Sequence, residues 1–475
     1  MGKKILPYDD SSWESILKYA RILLGHSLKE LYPHSDFKIS GKGGLGTAVE
    51  DLHFKLYQDE EENRNKPEPD FKKAGLELKT TSLKILSDKS IASKDRLVLN
   101  TINYESEGDS DFITSSFWKK NKFLLLMFYL YKKGACPLDF IFKIVRCWEI
   151  PEEDLKIIKD DWAIIHKKIH DGLAHEISQG DTLYLAACPK GPKAQKVMRR
   201  QPRTEKRAQQ RAYSFKQKYV NTIILDSLDY PEMHQGLFIS EKYKKKILEA
   251  KKKVESIVRN VSDYRGSETF EQLIERKFAP YYGKTIAEIE CSCGVEFGQS
   301  KSMAYNVCQA ILLDNNKKKK IAEFEKAEIA VKTIRLEANG NLVQHMSFPN
   351  INYKEIINEK KWEDSALYNL FTQRFLFVVF RKPKERNDKQ VKLEKIMFWT
   401  MPTKDLKQGQ KLWTDTRKKV KNGDYDNFIK ISDGLICHIR PKSKKSTCLT
   451  TDAYGRKVKK MCYWLDKKYI LEIIK

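Results

Sequence analysis

The chain has 475 residues, of which 41% are hydrophobic and 11% aromatic. This apolar content excludes an intrinsically disordered protein, and the length suits two domains of roughly 200 residues each. The 89 lysines and arginines against 64 acidic residues give a net charge of +25, which predicts a polyanionic partner. Nucleic acid is the first candidate for that partner, and an anionic membrane surface is the second.

Membrane, export and disulfide signals are missing from the sequence. The apolar run from Phe123 to Tyr131 is far too short to span a bilayer, and the N-terminal residues lack an apolar core of signal-peptide length. We therefore expect a cytoplasmic protein with no membrane association. The nine cysteines are an odd number without a Cys-x-x-Cys pair, which favours reduced thiols over a zinc site.

The N-terminal region predicts two helices separated by a glycine-rich segment. Asp9 to Ser12 form a capping cluster that opens the first helix, which is expected to end near Gly25. Residues 41–46 are glycine-rich and precede an amphipathic helix that carries Glu50. A loop of this kind can bind a phosphate, although glycine-rich turns before helices are common. Glu50 is either a carboxylate of a functional site or a solvated helix residue.

Residues 69–80 predict a turn that holds Asp70, followed by a strand. Glu77 and Lys79 are two residues apart, so their side chains project from the same face of the strand, where Asp70 can join them. Two carboxylates and a backbone carbonyl make a hard-oxygen site for Mg²⁺, and a neighbouring lysine can orient or deprotonate a water. Phosphodiester hydrolysis needs this chemistry. A solvated strand face is the alternative explanation for the spacing.

The middle of the chain predicts a buried strand and a basic surface. The continuous apolar run at 123–128 suits a strand buried on both faces, and Lys122 precedes it as a site residue or as a charge at a strand end. Residues 151–175 predict a helix. Residues 190–218 are strongly basic with interleaved aromatic side chains, which favours contact with DNA or RNA. A lysine-rich helix at 242–259 is expected to lead to a second domain.

The second half of the chain repeats the first in the same order, which predicts two copies of one fold. The residue offsets lie between 253 (323 − 70) and 250 (463 − 213). Matching pairs are Asp70 with Glu323, Lys79 with Lys332, Lys122 with Arg374, Lys190 with Lys442, Tyr213 with Tyr463, and Lys218 with Lys468.

The two copies differ where a catalytic site is predicted. Ala330 stands where the first copy has Glu77, and Gln309 is the best match to Glu50. The basic residues survive in the second copy, whereas the set of three carboxylates does not, because only the Asp70 position keeps an acidic residue, Glu323. This pattern predicts one domain that cuts and one that binds without cutting.

Three motifs together resemble a known nuclease family. They are Lys42-Gly43-x-x-Gly46-x-x-x-Glu50, Pro69-Asp70-(six residues)-Glu77-x-Lys79-Thr80, and Lys122 before an apolar strand. This combination resembles the mismatch-repair endonuclease MutH. The doubled arrangement is similar to the GATC-cutting type II restriction endonucleases that carry two MutH-like domains.

The resemblance implies a mixed α/β (α+β) fold with two tandem restriction-endonuclease-like domains. It implies Mg²⁺-dependent cleavage of double-stranded DNA at 5′-GATC that leaves 5′-phosphates. Asp70 and Glu77 would bind Mg²⁺, Lys79 would position the water, and Glu50 and Lys122 would complete the catalytic site. The predicted domains are 1–230 (catalytic), 231–260 (a basic helical connector) and 261–475 (inactive, DNA-binding and allosteric).

The resemblance also implies how DNA is bound. The second domain would bind another GATC copy as an effector, with dimerisation or two-site looping on DNA, and a cognate DNA methyltransferase would be the genetic partner. Lysine or arginine is suited to reading guanine in the major groove. The DNA-contact candidates are Lys193, Arg211, Tyr213, Lys216 and Lys218 in the first domain and Lys442, Tyr463 and Lys468 in the second.

Two other functions fit parts of the sequence. One is a repair endonuclease that nicks a single strand, as MutH does, which the second domain disfavours. The other is a basic DNA-binding protein without nuclease activity, which would bind with a steep salt dependence and leave DNA intact in Mg²⁺. RNA binding is possible on charge alone, but the sequence carries no signature of an RNA-binding module.

Overall fold

A computed structural model describes most of the chain. The described residues are 6–39, 41, 43–56, 68–86, 90–190, 197–236, 241–297 (backbone alone for 241–244), 303–313, 319–342, 344–384, 390–443 and 447–475. Lys193, a predicted DNA contact, lies outside them. The chain forms two compact units, the first made of Met1–Ile177, Thr182–Asp263 and Glu325–Ala327. The second contains Ser178–Asp181, Tyr264–Phe324 and Glu328–Lys475. The predicted connector, 231–260, falls in the range of the first unit.

The first unit mixes helices and strands along its length. Its helices are α1 (Trp13–Ala20), α2 (Leu28–Leu31), α3 (Gly44–Ala48), α4 (Tyr104–Glu107), α5 (Ser116–Asn121), α6 (Glu152–His170), α7 (Gln217–Ser227) and α8 (Glu241–Lys252). Its strands are β1 (Glu77–Ile85), β2 (Ile91–Ser93), β3 (Leu97–Thr101), β4 (Phe123–Leu130), β5 (Phe142–Glu149), β6 (Leu185–Pro189), β7 (Met198–Gln201), β8 (Thr204–Gln209), β9 (Arg211–Phe215) and β10 (Val254–Glu255).

The main sheet of the first unit has the strand order β2-β1-β4-β5. Strand β4 lies in its centre, parallel to β1 and antiparallel to β5. Its residues from Leu124 to Phe128 are fully buried. A continuous apolar run is what a strand covered on both faces requires, so this prediction is confirmed.

A second sheet of the first unit has the order β3-β9-β6, with antiparallel pairing throughout. The buried carboxylate of Asp161 on α6 fixes the start of β6. It accepts hydrogen bonds from the backbone N–H groups of Leu183, Tyr184 and Leu185 at 2.6, 2.6 and 2.8 Å. One helix residue thereby holds the strand that leads to Lys190.

The N-terminal helix forms as the capping cluster predicts. Ser12 is the N-cap of α1, and its hydroxyl accepts a hydrogen bond from the Ser15 N–H at 3.2 Å. A 3₁₀ turn at Arg21–Leu23 follows α1, and the chain then turns at Gly25, whose φ of +86° lies in the left-handed region. The helix buries Ile16 and Ala20 against the core of the first unit.

His53 is a fully buried histidine that is held neutral by its surroundings. Its Nε2 donates to the Tyr19 carbonyl oxygen at 3.2 Å, and its Nδ1 accepts from the Tyr32 hydroxyl at 2.9 Å. Burial lowers the pKa of His53 from 6.5 to about 4, although the bond to Tyr19 acts in the opposite direction. The folded chain therefore resists protonation at this position.

We expect the free energy of unfolding to decrease as the pH falls from 7 to 5. The unfolded chain binds a proton at His53 below its ordinary pKa, and the folded chain does not until about pH 4. The contribution lost by pH 5 is about 2 kcal/mol. Urea unfolding of the full-length protein at both pH values measures it. His53→Gln should flatten the slope and the exposed-residue control His34→Gln should not; equal slopes in both variants would contradict the assignment.

The second unit is built from a similar set of elements. Helices from residue 264 onward are α9 (Phe270–Phe278), α10 (Ile286–Cys293), α11 (Met303–Leu312), α12 (Ala322–Ala327), α13 (Tyr353–Ile356), α14 (Ala366–Phe371), α15 (Thr403–Asn422) and α16 (Lys467–Ile474). Strands are β11 (Lys320–Ile321), β12 (Ala330–Leu336), β13 (Met346–Asn350), β14 (Phe375–Arg381), β15 (Lys392–Trp399), β16 (Cys437–Arg440), β17 (Leu449–Thr451), β18 (Lys457–Lys459) and β19 (Cys462–Leu465).

The two units share a pairing pattern. One sheet of the second unit has the order β12-β14-β15, with β12 parallel to β14 and β14 antiparallel to β15, as in β1-β4-β5. The other has the order β13-β19-β16 with antiparallel pairs, as in β3-β9-β6. The structure thus contains helices with both parallel and antiparallel strands, and the predicted mixed α/β fold class is confirmed.

Strand register corrects one residue match of the internal repeat. Glu77 pairs with Leu124 in the first unit, and Ala330 pairs with Phe375 in the second. Phe375 is therefore the counterpart of Leu124, at an offset of 251 (375 − 124). The strand offset puts Gln373 at the position of Lys122, and the helix ends match Lys122 to Thr372, because these two residues are the C-caps of α5 and α14. Neither supports the predicted match to Arg374. The segments that connect β1 to β4 and β12 to β14 differ in length. Side-chain similarity alone does not show at which residue such a difference lies.

No helix within the described part of the chain is both long enough and apolar enough to cross a membrane.

Candidate active site

A tight turn positions Asp70 at the start of β1. Phe71 and Leu76 exchange backbone hydrogen bonds of 2.9 and 3.2 Å, and Gly75, with a φ of +64°, closes the turn. The Asp70 carboxylate accepts a hydrogen bond from the Leu78 N–H at 3.0 Å. The Asp70 N–H donates to Glu77 Oε2 at 3.0 Å. These bonds hold the two carboxylates side by side at the start of the strand.

Glu77 is the buried centre of the site, with 1% of its surface exposed. The ammonium of Lys79 forms a hydrogen-bonded ion pair with its Oε1, and Lys120 Nζ lies 3.6 Å from the same oxygen. Burial raises the pKa of Glu77 to about 7; Lys79 and Lys120 oppose this rise, and Asp70 adds to it. The site therefore combines closely spaced carboxylates with two cations away from bulk water.

Lys79 is surrounded by carboxylates. Burial alone would lower its pKa, but the charges of Glu77, Asp70 and Glu50 outweigh burial and raise it. Glu50 thus acts electrostatically on the site. A close approach of α3 to β1 makes this possible, because a Cβ on Gly46 would lie 3.0 Å from Thr80 Oγ1. The backbone then passes into a π-helical turn, Val49–His53, that carries Glu50.

The structure places Lys120, rather than the predicted Lys122, beside Glu77. Both lysines lie at the C-terminal end of α5, where Lys120 is buried and Lys122 is the exposed C-cap residue. Successive helical residues are rotated by about 100°, so side chains two positions apart point to opposite sides. Strand β4, which follows α5, pairs with β1 from Glu77 onward, and this brings the end of α5 to the site. Sequence reasoning failed here because it did not foresee that α5 continues to Asn121.

Lys190 is a further cation at this site that the sequence placed in the basic run and in the internal repeat, without a role in catalysis. It follows β6 directly, and its backbone N–H donates to the Gln210 carbonyl oxygen at 3.0 Å. Burial lowers the pKa of Lys190, and the nearby charges of Lys79 and Lys120 lower it further. Lys190 therefore lies near enough to Lys79 and Lys120 for their charges to act on it.

Comparison with known proteins identifies the family. The family model for the DNA mismatch repair enzyme MutH matches residues 60–161, which include Asp70, Glu77, Lys79 and Lys120. The chain is also 33% identical over 460 residues to the type II restriction enzyme Sau3AI of Staphylococcus aureus. That alignment covers 90% of this chain and 87% of Sau3AI. The chain belongs to the Sau3AI family of type II restriction enzymes.

Two of the DNA-contact candidates prove to be core residues of this Sau3AI-family fold. The Tyr213 hydroxyl donates to Glu107 Oε1 at 2.8 Å, and the ring is fully buried. Arg211 is also buried, and its Nη1 donates to the Ala187 carbonyl oxygen at 2.9 Å. Their prediction as DNA contacts is wrong for the described conformation, because β9 is the central strand of its sheet.

The remaining candidates divide by exposure. The Lys216 ammonium donates to the Thr182 carbonyl oxygen and interacts electrostatically with the buried carboxylate of Asp161. Tyr463 is buried in the second unit, so it cannot stack on a base in this conformation. The exposed candidates are Lys218, Lys442 and Lys468.

In the second unit, the counterpart of the carboxylate site keeps one carboxylate, the buried Glu323 that matches Asp70, and loses the one that matches Glu77. Ala330 replaces Glu77, and the offset of 250 (365 − 115) between the N-caps of α14 and α5 puts Leu370 at the position of Lys120. Lys332 is retained, and burial lowers its pKa with a further contribution from Lys442. Lys332 and Lys442 therefore repeat the pairing of Lys79 and Lys190 without the Glu77 carboxylate.

Proposed function

We propose that this chain is an Mg²⁺-dependent endonuclease that hydrolyses double-stranded DNA at 5′-GATC-3′ in the bacterial cytoplasm and leaves 5′-phosphates. The convergence of Asp70, Glu77 and Lys79 at the start of β1, in a member of a restriction-enzyme family, carries the proposal. The GATC site comes from the sequence resemblance. A cognate DNA methyltransferase is the genetic partner that such an enzyme requires to spare its own DNA.

The donor set of the site fits Mg²⁺. Asp70 and Glu77 supply carboxylate oxygens, which this cation prefers. When bound, the cation supplies Lewis-acid stabilisation of the phosphate charge and lowers the pKa of a bound water. Asp70 is held for this role by the Leu78 N–H, and Glu77 by the Asp70 N–H.

The lysines of the site have distinct roles in the proposal. Lys79 orients the attacking water by hydrogen bonding and is itself held in place by Glu77. Lys120 and Lys190 supply fixed positive charge toward the phosphate that develops charge during cleavage. The negative charge of Glu50 offsets part of the positive charge of these lysines and helps to hold Lys79 in place.

An experiment with two duplexes tests the proposed reaction. One duplex carries a GATC sequence and the other differs from it by a single base pair in that sequence. In Mg²⁺ we expect cleavage of both strands of the first duplex, with 5′-phosphate ends, and none of the second. Cleavage of one strand would favour the nicking alternative, and bound but intact DNA would favour the binding protein without activity.

We propose that the second unit binds another GATC copy and regulates cleavage by bringing two sites together, through looping or dimerisation on DNA. The cationic pair Lys332 and Lys442, without the Glu77 carboxylate beside it, supports phosphate binding there. Lys468 in this unit and Lys218 in the first unit are further exposed lysines that can contact the phosphate backbone of DNA.

Lys442→Ala is expected to weaken the stimulation of cleavage by a second GATC site by about tenfold, because one phosphate contact is worth roughly 1 kcal/mol or more. The cleavage rates of one-site and two-site duplexes measure this effect. Lys404→Ala removes an equally exposed lysine from α15 and should behave as wild type. An unchanged ratio of the two rates in Lys442→Ala would reject the role of this residue.

A further inference from the structure

One end of a second-unit sheet gathers two histidines and an aspartate. His345 immediately precedes β13, His438 lies within β16, and Asp466 follows β19 as the N-cap of α16. Strand β19 lies between the other two, and its Leu465 pairs with both Met346 and Cys437. Antiparallel pairing on both sides of one strand thus brings three distant chain segments together.

His438 is a fully buried histidine whose ring nitrogens, Nδ1 and Nε2, lack hydrogen-bond partners among the described residues. A buried polar group without a partner costs about 1–3 kcal/mol. Such a group is rare in a folded protein and calls for a ligand or an ion that the imidazole can bind.

The other two residues face this histidine at short range. The rings of His345 and His438 lie 5.0 Å apart at 87°, and His345 Nδ1 is 3.4 Å from Asp466 Oδ2. The Lys467 N–H also donates to His345 Nδ1 at 3.1 Å. One ligand atom from each of the three residues can be chosen so that all lie within 4.8 Å of one another.

The donor chemistry selects the kind of ion. Two imidazoles and a carboxylate are typical ligands of Zn²⁺ and related transition metals, whereas Mg²⁺ prefers oxygen alone. Bond lengths of about 2.0–2.1 Å put tetrahedral zinc ligands roughly 3.3 Å apart, so modest side-chain rotations close the set. Arg440 is the neighbouring cation, and its guanidinium stacks 4.0 Å from the Trp464 ring centroid.

We propose that His345, His438 and Asp466 bind one Zn²⁺ ion in the second unit, separate from the carboxylate site of the first. The ion joins the start of β13, the strand β16 and the start of α16, so it crosslinks three segments of this unit. A site with three protein ligands leaves a fourth position for water. Binding to the folded state alone stabilises it in proportion to the logarithm of the free Zn²⁺ concentration.

Zinc stoichiometry of the full-length protein tests the site. The chain is stripped with a chelator, equilibrated with Zn²⁺ in excess Mg²⁺, and analysed by mass spectrometry of the metal. His345→Gln should hold one Zn²⁺ fewer per chain than wild type. Asp466→Asn, which keeps an N-capping side chain on α16, should bind that ion at least tenfold more weakly. The exposed-histidine control His34→Gln should match wild type.

X-ray absorption of the wild-type protein with one equivalent of Zn²⁺ tests the ligands without any substitution. We expect nitrogen and oxygen neighbours with imidazole scattering. Sulfur neighbours at about 2.3 Å would assign the ion to cysteines and overturn the proposal. An oxygen-only shell, or equal zinc content in wild type, His345→Gln and Asp466→Asn, would overturn it as well.

Discussion

Glu77→Gln is expected to lower the rate of DNA cleavage by at least about a thousandfold, since a metal ion contributes several kcal/mol to the transition state. Glutamine keeps the shape of the side chain and an oxygen for the Asp70 N–H, but it loses the charge that binds a cation. The single-turnover rate on a GATC duplex in saturating Mg²⁺ measures the loss.

The matched control for this variant is Glu149→Gln, which removes an exposed carboxylate from β5 in the same sheet. It should cleave as wild type does. DNA binding without metal should stay within about threefold in Glu77→Gln, because the phosphate contacts of the lysines are unaffected. A Glu77→Gln protein that is folded, binds DNA and still cleaves near the wild-type rate would remove Glu77 from the site.

Lys120→Met should reduce cleavage by about a hundredfold or more, whereas Lys122→Met should change it little. Removal of one preorganised charge from an active site costs about 10²–10³ in rate. Lys120 Nζ lies 3.6 Å from Glu77 Oε1, and Lys122 is exposed at the end of α5. The two variants remove the same charge two residues apart and are assayed under identical conditions.

Controls for folding make the comparison of Lys120→Met with Lys122→Met decisive. Methionine preserves the length of the lysine stem, so both variants should retain the wild-type circular dichroism and thermal midpoint within a few degrees. A larger loss of activity in Lys122→Met than in Lys120→Met would reverse the assignment and restore the lysine predicted from sequence.

Strand periodicity explains why part of the site is visible in the sequence. Glu77 and Lys79 share a face because side chains alternate along a strand, and the structure joins them in an ion pair. Asp70 is predictable from the turn that precedes the strand. These inferences are local, and local geometry is what a sequence specifies most directly.

The parts that were missed depend on tertiary structure. Lys120 depends on where α5 ends, and the burial of Tyr213 depends on β9 being a central strand. Aromatic residues within a basic stretch look the same in a sequence whether they stack on bases or fill a core. The histidine and aspartate cluster is less visible still, because 93 residues (438 − 345) separate its two histidines.

Burial also changes the meaning of the internal repeat. Tyr213 and Tyr463 recur because each fills the core of its own unit, so their recurrence reports a shared fold and carries no information about DNA contact. Lys190 and Lys442 recur next to Lys79 and Lys332, where loss of the carboxylate in the second unit changes the local charge. A repeated residue is informative about function only when its surroundings are known.

Cleavage of a two-site GATC duplex by wild type and by Asp70→Asn, side by side in Mg²⁺, tests the central claim most directly. Asparagine keeps an oxygen for the Leu78 N–H and removes the charge, so the fold should persist while the metal site is lost. We predict cutting at GATC by wild type, and intact but bound DNA with Asp70→Asn. Equal cutting by the two proteins, or no cutting at GATC by wild type, would contradict the account.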